Sequence, residues 1–371
     1  MQLSRLGEIT LLVVSMLTIM VGAVLAPGLN SIAPALGVSE FAALLITLPA
    51  LGAILFASFF GKLIDSIGAR KTLVLGLWGY LLLGIGGIWV HGPLWVSIDR
   101  ILLGGFAAGV MASGTAIISH WYHGKARLSV IAKQGMAIEL GGVIILFLGG
   151  LLSEIDWRAP FLLYGLALVC LVLTAISVPK YVPEIEPVLK NENTQNSDSL
   201  RAVLINAVLA MSLFFSMFIT LPSHLGDLSY SEAQTGYLLS FISLMAVLSA
   251  LIMPKIVHMK SEKVTLFLAF LSFAAAHGIF AIAETTSLLV IAAIFAGTGF
   301  GFSIPLLNHA TVERSSDTNM GRNLAWFAMA VFSGQFLTSA LEFLPVADSG
   351  VFTVCGVIAL ACSVYIIKAK E

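Results

Sequence analysis

Two ionisable side chains stand deep inside long apolar runs, where each must do chemistry or be neutralised. Glu139, in IAKQGMAIELGGVIILFLGG, lies about nine residues into its run, or roughly 13 Å at 1.5 Å per residue. Burial disfavours a carboxylate's charge, and a carboxyl poised between its two forms is what proton coupling or substrate binding needs. The alternative is a neutral acid in a structural hydrogen bond, to Gln134 or to a facing helix. Arg100 is the second residue of DRILLGGFAAG, after Asp99. An arginine in hydrocarbon costs about 2.5–3.5 kcal/mol on insertion scales, so it needs a partner or a watery cavity, where it would also complement an anion. The alternative is that Arg100 and Asp99 both snorkel to the nearer surface. Adjacent helical positions diverge by about 100°, so Asp99 is a weaker site candidate and not an automatic partner of Arg100.

A third chemistry-bearing stretch is Gly61 to Lys71, GKLIDSIGARK, charged and glycine-punctuated between two apolar runs. Gly61 and Gly68 permit close approach or positive φ, while Asp65 can accept from Arg70 or sit at a helix N-terminus. The bland reading is a short turn carrying surface charge. Weaker polar candidates lie in the second half of the chain: Asn206, His277, Asn308, His309 and Gln335. A lone histidine on an apolar helix is usually a satisfied packing group. Phe214, Phe215 and Phe218, with Met211 and Met217, fit either an apolar pocket or a lipid-facing helix.

These residues need elements that lipid can solvate. Hydrophobic residues make up 58% of the chain and charged ones 11%, with a mean hydropathy of +1.00. A soluble protein carries about 25% charged residues. A bilayer core of roughly 30 Å takes about 20 apolar residues per helix. Twelve such stretches are readable, near 8–27, 40–60, 72–90, 94–118, 131–152, 159–178, 201–222, 233–253, 264–283, 286–309, 322–343 and 348–367. They do not alternate as barrel strands must. The first lacks a cleavage site and reads as a retained helix. Cys170, Cys355 and Cys362 lie inside apolar runs without CxxC spacing, so they read as packing residues. No metal site, cofactor motif or Walker-type phosphate loop is readable, and a net charge of −1 gives no sign of a nucleic-acid partner.

With the N-terminus inside, every Lys and Arg except Arg100 and Arg158 falls at cytoplasmic segments, which places both termini in the cytoplasm. The opposite loops are acidic, with Glu40, Glu154, Asp156, Asp227, Glu232, Glu284 and Asp348. Residues 179–200, rich in Pro, Asn, Glu and Ser, read as a cytoplasmic linker between six-helix halves at 1–178 and 201–371. A shift of 192 lays Gly105 and Gly109 on Gly297 and Gly301, and Gly61–Lys71 on Met253–Lys263. Agreement of two landmarks on one shift is better evidence than a GxxxG pair alone.

The spacing of Gly61, Leu63, Asp65, Gly68, Arg70 and Lys71 resembles the loop between helices two and three of the major facilitator superfamily. Arg100 before a glycine-rich helix, Trp121 and Tyr122 ahead of Arg127, and Trp157 and Arg158 followed by Phe161 resemble further patterns of that family. The resemblance implies an all-α membrane fold of two pseudo-symmetric six-helix bundles, with a substrate site near midplane between them. It implies that Gly61, Asp65, Gly68, Arg70 and Lys71 form a cytoplasmic gate. The second copy, PKIVHMKSEK, lacks the Asp and the glycines, so the latch is asymmetric. The family's antiporter signature GPxxGG is matched at Gly149 and Gly150 only, where Ile145 and Leu146 replace its Gly-Pro.

The leading expectation is a monomeric, multi-pass protein of the bacterial cytoplasmic membrane. It would move a drug-like or metabolite-like small molecule outward by alternating access, coupled to protons. A competing expectation is an importer of a small organic anion held at Arg100. Position 331, Val331, matches Glu139 in the second half, so coupling belongs to the first. An intramembrane enzyme would need a nucleophile such as Ser113 beside a base, and no histidine is its evident partner. A non-transporting sensor is the remaining alternative.

Overall fold

The structure is a computed structural model describing residues 3–122, 124–179, 197–315 and 319–368. Among these residues every regular element is helical, and twelve helices are long and apolar enough to cross a membrane. In the first half they are α1 (Arg5–Ala23), α2 (Leu44–Ile67), α3 (Ala69–Gly86), α4 (Pro93–Trp121), α5 (Gly124–Ile155) and α6 (Ala159–Ser177). In the second they are α7 (Ser197–Asp227), α8 (Glu232–Met259), α9 (Glu262–Phe280), α10 (Thr286–Glu313), α11 (Met320–Leu337) and α12 (Asp348–Lys368). Side chains cap several starts: Ser4 accepts from Gly7, Ser261 from Val264, and Ser231 forms a reciprocal box with Gln234.

Several helices run past the expected apolar stretches at one end, α2 to Ile67, α4 to Trp121 and α8 to Met259, whereas α1 at Ala23 and α3 at Gly86 stop short of theirs. The Gly61–Lys71 segment shows this most clearly. It is not a loop: Gly61 and Asp65 occupy the last turns of α2, Arg70 and Lys71 the first turn of α3, and Gly68 is a one-residue break. Gly68 has φ 89° and ψ 150°, a conformation that glycine adopts without penalty.

The chain divides into two compact units, Met1–Glu186 and Pro187–Glu371. In the first, α1 packs on α4, α5 and α6, α2 on α4, and α3 on α4 and α6. In the second, α7 packs on α10, α11 and α12, α8 on α10, and α9 on α10 and α12. The sequence repeat is therefore a repeat of packing partners.

Small residues set the closest of these contacts, with a difference between the halves. A Cβ on Gly105 or Gly109 would meet the rings of Phe56 and Phe60, at 2.8 and 2.5 Å. On Gly297 or Gly301 it would stand 2.5 Å from the carbonyl oxygens of Ile242 and Ala246. The second pair admits backbone, the first only rings; in the first half backbone approach happens one position earlier, where a Cβ on Gly104 would collide with the Pro49 carbonyl. Overpacking of this kind costs about 1–3 kcal/mol. Gly104→Ala is expected to lower the melting temperature of the detergent-solubilised protein, whereas Gly114→Ala, with nothing within 4 Å of the added methyl, is expected to leave it unchanged or raised.

Candidate functional site

Arg100 and Asp99 do not snorkel. Arg100 is 1% exposed and Asp99 7%, and the pair is joined by two hydrogen bonds, from Nε at 2.9 Å and Nη2 at 2.6 Å, both to Asp99 Oδ2. The expectation that neighbours on a helix diverge fails here because the long arginine stem folds its guanidinium back over Asp99. Nη1 reaches the Tyr164 hydroxyl at 3.3 Å, and the cation lies 5.5 and 5.8 Å from the ring centres of Phe161 and Tyr164. Gly87 leaves room for it, since any Cβ there would collide with Nη2.

Tyr164 passes the connection on to α1. Its hydroxyl donates to the Val21 carbonyl at 2.9 Å, and that oxygen is free because Leu25, four residues on, donates to Gly22 instead as α1 ends. Tyr80 donates likewise to the Leu17 carbonyl at 2.8 Å, with the two tyrosine rings 5.6 Å apart. Tyr164 and Phe161 are placed by a 3-10 stretch, Ala159–Gly165, that opens α6. The result is a neutral pin through α1, α3, α4 and α6. Sequence reading missed both tyrosines; the signal was a phenol in an apolar helix, which needs a partner when buried. Trp157 and Arg158 sit at the rim, with Arg158 stacked 4.5 Å from the Trp157 ring centre.

Glu139 has the opposite surroundings. It is half-buried in α5, and among the described residues no hydrogen bond or ion pair reaches it. Gln134, its expected partner, points elsewhere: Nε2 donates to Ser15 Oγ at 2.9 Å and Thr115 Oγ1 at 3.2 Å, tying α5 to α1 and α4. The α1-facing side of α5 is marked by Gly141, against Met16, and Gly149, against the Val24 carbonyl. Two residues from Gly141 is about 200° of rotation, which turns Glu139 away from α1. One turn earlier on that side, a Cβ on Gly135 would meet nothing within 4 Å.

The expected ties of the Gly61–Lys71 segment are not made. Asp65 is exposed, without a partner among the described residues, while Arg70 Nε donates to the Val178 carbonyl at 2.8 Å. A cation on the first turn of its own helix is badly placed against the dipole, and the C-terminal end of α6 offers it the favourable sign. At this same end Glu8 accepts from Tyr122 at 3.0 Å and from Lys133 at 2.8 Å, and Thr10 bonds Ser177 at 2.8 Å.

The second-half candidates do not converge. His277 is fully buried, with Ser216 Oγ at 2.9 Å and the Phe273 carbonyl at 2.9 Å, which makes it a satisfied packing group. His309 is exposed, 3.7 Å from Glu313, and Asn206 bonds its own helix at Ala202. Asn308 is half-buried and Gln335 buried. Asn206, Asn308 and His309 lie toward one end of the unit, His277 and Gln335 toward the other. Phe214, Phe215, Phe218 and Met217 are all buried and so face no lipid, Met211 is half-buried, and Phe214 packs 4.1 Å from Phe300. At the positions matching Ser15 and Thr115 stand Ala207 and Leu307, in an apolar cluster with Phe327 that Val331 packs against.

A family model described as Major Facilitator Superfamily matches residues 11–339. The chain belongs to that superfamily. It is 25% identical over 313 residues to the class D tetracycline resistance protein of Salmonella ordonez, covering 78% of this chain and 75% of that protein. It is 26% identical over 288 residues to the multidrug efflux protein YfmO of Bacillus subtilis (strain 168), covering 70% and 67%. Its fold is similar to that of the nucleoside transporter NupG, with a TM-score of 0.76 at 13% identity over 97% of this chain and 99% of that one. A POT family transporter in complex with 5-aminolevulinic acid gives 0.77 at 13%, covering 97% and 95%. The protein is thus a multi-pass membrane transporter of small molecules and not an enzyme, and Ser113 has no hydrogen-bond partner among the described residues.

Removing one member of a buried ion pair costs about 3–5 kcal/mol, because the other charge is left uncompensated. Asp99→Ala and Arg100→Ala are each expected to lower the melting temperature strongly, and the double variant by less than the sum; additive losses would show that the pair is not coupled. Outside the spanning segments, burial and then the bond to Glu8 push the Tyr122 phenol from its usual 10 up to about 12. The folded state holds that proton more firmly, so this stability is complete below pH 10 and falls as pH rises toward about 12. The stability difference between wild type and Tyr122→Phe is expected to shrink across that window.

Proposed function

We propose that this transporter is a proton-coupled exporter of a drug-like or metabolite-like small molecule, working by alternating access of its two six-helix bundles. Glu139 carries the reading. A carboxyl within a spanning helix, with no polar partner among the described residues, pays for its charge in no visible interaction, and such a group exchanges protons or binds a cationic substrate. The relatives' names, a tetracycline resistance protein and a multidrug efflux protein, support export. The importer reading rested on Arg100 as an anion site, and the enclosure of that cation on Asp99 takes its support away.

In this reading Gly61, Asp65, Gly68, Arg70 and Lys71 form the gate at the cytoplasmic end. Asp65 is the available half of the latch, being exposed, while Arg70 holds α3 to α6. Both termini lie in the cytoplasm, and one chain is the working unit.

The test is dye or drug flux in proteoliposomes under an imposed proton gradient. Collapse of the gradient is expected to stop accumulation, and Glu139→Gln to cut gradient-driven flux at least about tenfold, the size of one 1.4 kcal/mol interaction, with melting temperature unchanged. Flux that survives both treatments would falsify the coupling assignment.

A further inference from the structure

The second copy of the Gly61–Lys71 segment has lost the features of a gate and gained others. Under the shift of 192, Lys255 replaces Leu63, His258 replaces Ser66 and Lys260 replaces Gly68, while Glu262 stands where Arg70 was. Lys260 closes α8 at φ −121°, so this break needs no glycine, and Ser261 then caps α9 through the Val264 N–H at 3.1 Å. Lys255, His258 and Lys260 are exposed, and no hydrogen bond or ion pair reaches their side chains among the described residues. The acids nearby are already engaged: Glu262 lies 3.1 Å from Arg314, and Glu313 faces His309 at 3.7 Å.

Helix length fixes the depth of this cluster. α8 has 28 residues, about 42 Å, against a hydrocarbon core of roughly 30 Å. Its uncharged stretch runs from Ala233 to Pro254, so Lys255 is the first cation past the apolar span, at headgroup level. The same side of the helix continues inward as Leu251, 60% exposed, and Ile252, 52% exposed. An exposed apolar surface that ends in unpaired cations at headgroup depth matches an acyl chain that ends in an anionic head.

We propose that the α8 end at Lys255, His258 and Lys260 binds the headgroup of an anionic phospholipid, whose acyl chains lie along Leu251 and Ile252. In the first unit Arg70, which stands where Glu262 does, is tied to the Val178 carbonyl at 2.8 Å. The assignment requires a spanning α8 and nothing about flux or its direction.

The full chain, purified in a neutral detergent, is titrated with phosphatidylglycerol or phosphatidylcholine and bound lipid is counted by native mass spectrometry. Wild type is expected to retain phosphatidylglycerol in preference to phosphatidylcholine. Each lysine near a charged surface contributes about fivefold, so Lys255→Gln with Lys260→Gln is expected to lose about 25-fold in phosphatidylglycerol affinity. The double change to arginine is expected to keep it. Equal retention of the two lipids by wild type, unchanged phosphatidylglycerol binding in the glutamine variant, or displacement of the lipid by millimolar inorganic phosphate would each overturn the proposal. Both positions are exposed, so an unchanged melting temperature separates loss of binding from loss of fold.

Discussion

The bond between Arg100 and Asp99 answers the constraint under which the whole molecule is built: hydrocarbon offers no partner, so a polar group in a span must find one in the bundle. The pair leaves no net charge, and its remaining contacts run to Tyr164 and through it to the orphan Val21 carbonyl. That carbonyl is free because α1 ends there. One helix end, one cation and one phenol therefore settle one another, and α4 and α6 take their positions around α1 as a consequence. Gly87 belongs to the same arrangement, since only a missing side chain leaves space for the guanidinium.

The repeat keeps partners and changes chemistry. Equivalent helices pack in equivalent pairs, yet the polar tie of Ser15, Thr115 and Gln134 in the first unit meets an apolar cluster of Ala207, Leu307 and Phe327 in the second. A hydrogen-bonded amide fixes rotation and register of a helix more narrowly than apolar side chains, which repack at little cost. The first unit thus holds α5, and with it Glu139, in a defined orientation, while α11 carries Val331 on an apolar seat. Outside the spans the two copies exchange partners as well: Arg70 of the first is tied to the Val178 carbonyl, while Glu262, at the matching place in the second, pairs with Arg314.

Much of this was legible in the chain. Apolar runs of spanning length gave the twelve helices, and one numerical shift gave the pairing. Helix ends were less legible, since the weak helix formers Gly61 and Asp65 are carried within α2 and only Gly68, at φ 89°, makes the break. Side-chain direction was least legible. That Arg100 folds back on its neighbour, that Gln134 turns to Ser15 and not to Glu139, and that Phe214 and Phe218 face a core all depend on which helix lies opposite. Periodicity along one helix does not contain that information. The tyrosines were missed because a phenol in an apolar run does not announce which carbonyl will be free.

Arg100 and Glu139 pose one physical problem and receive two answers. Both are ionisable groups in spanning helices. For Arg100 the fold supplies a counter-charge, a hydroxyl and two aromatic rings, and seals them from solvent at 1% exposure. For Glu139 none of these appears among the described residues, and the helix face beside it opens at Gly135. A protein that neutralises one buried charge so completely has the means to neutralise the other. Leaving Glu139 without compensation is a cost in stability that a purely structural residue would not carry, and this is the asymmetry on which the proposed coupling role rests.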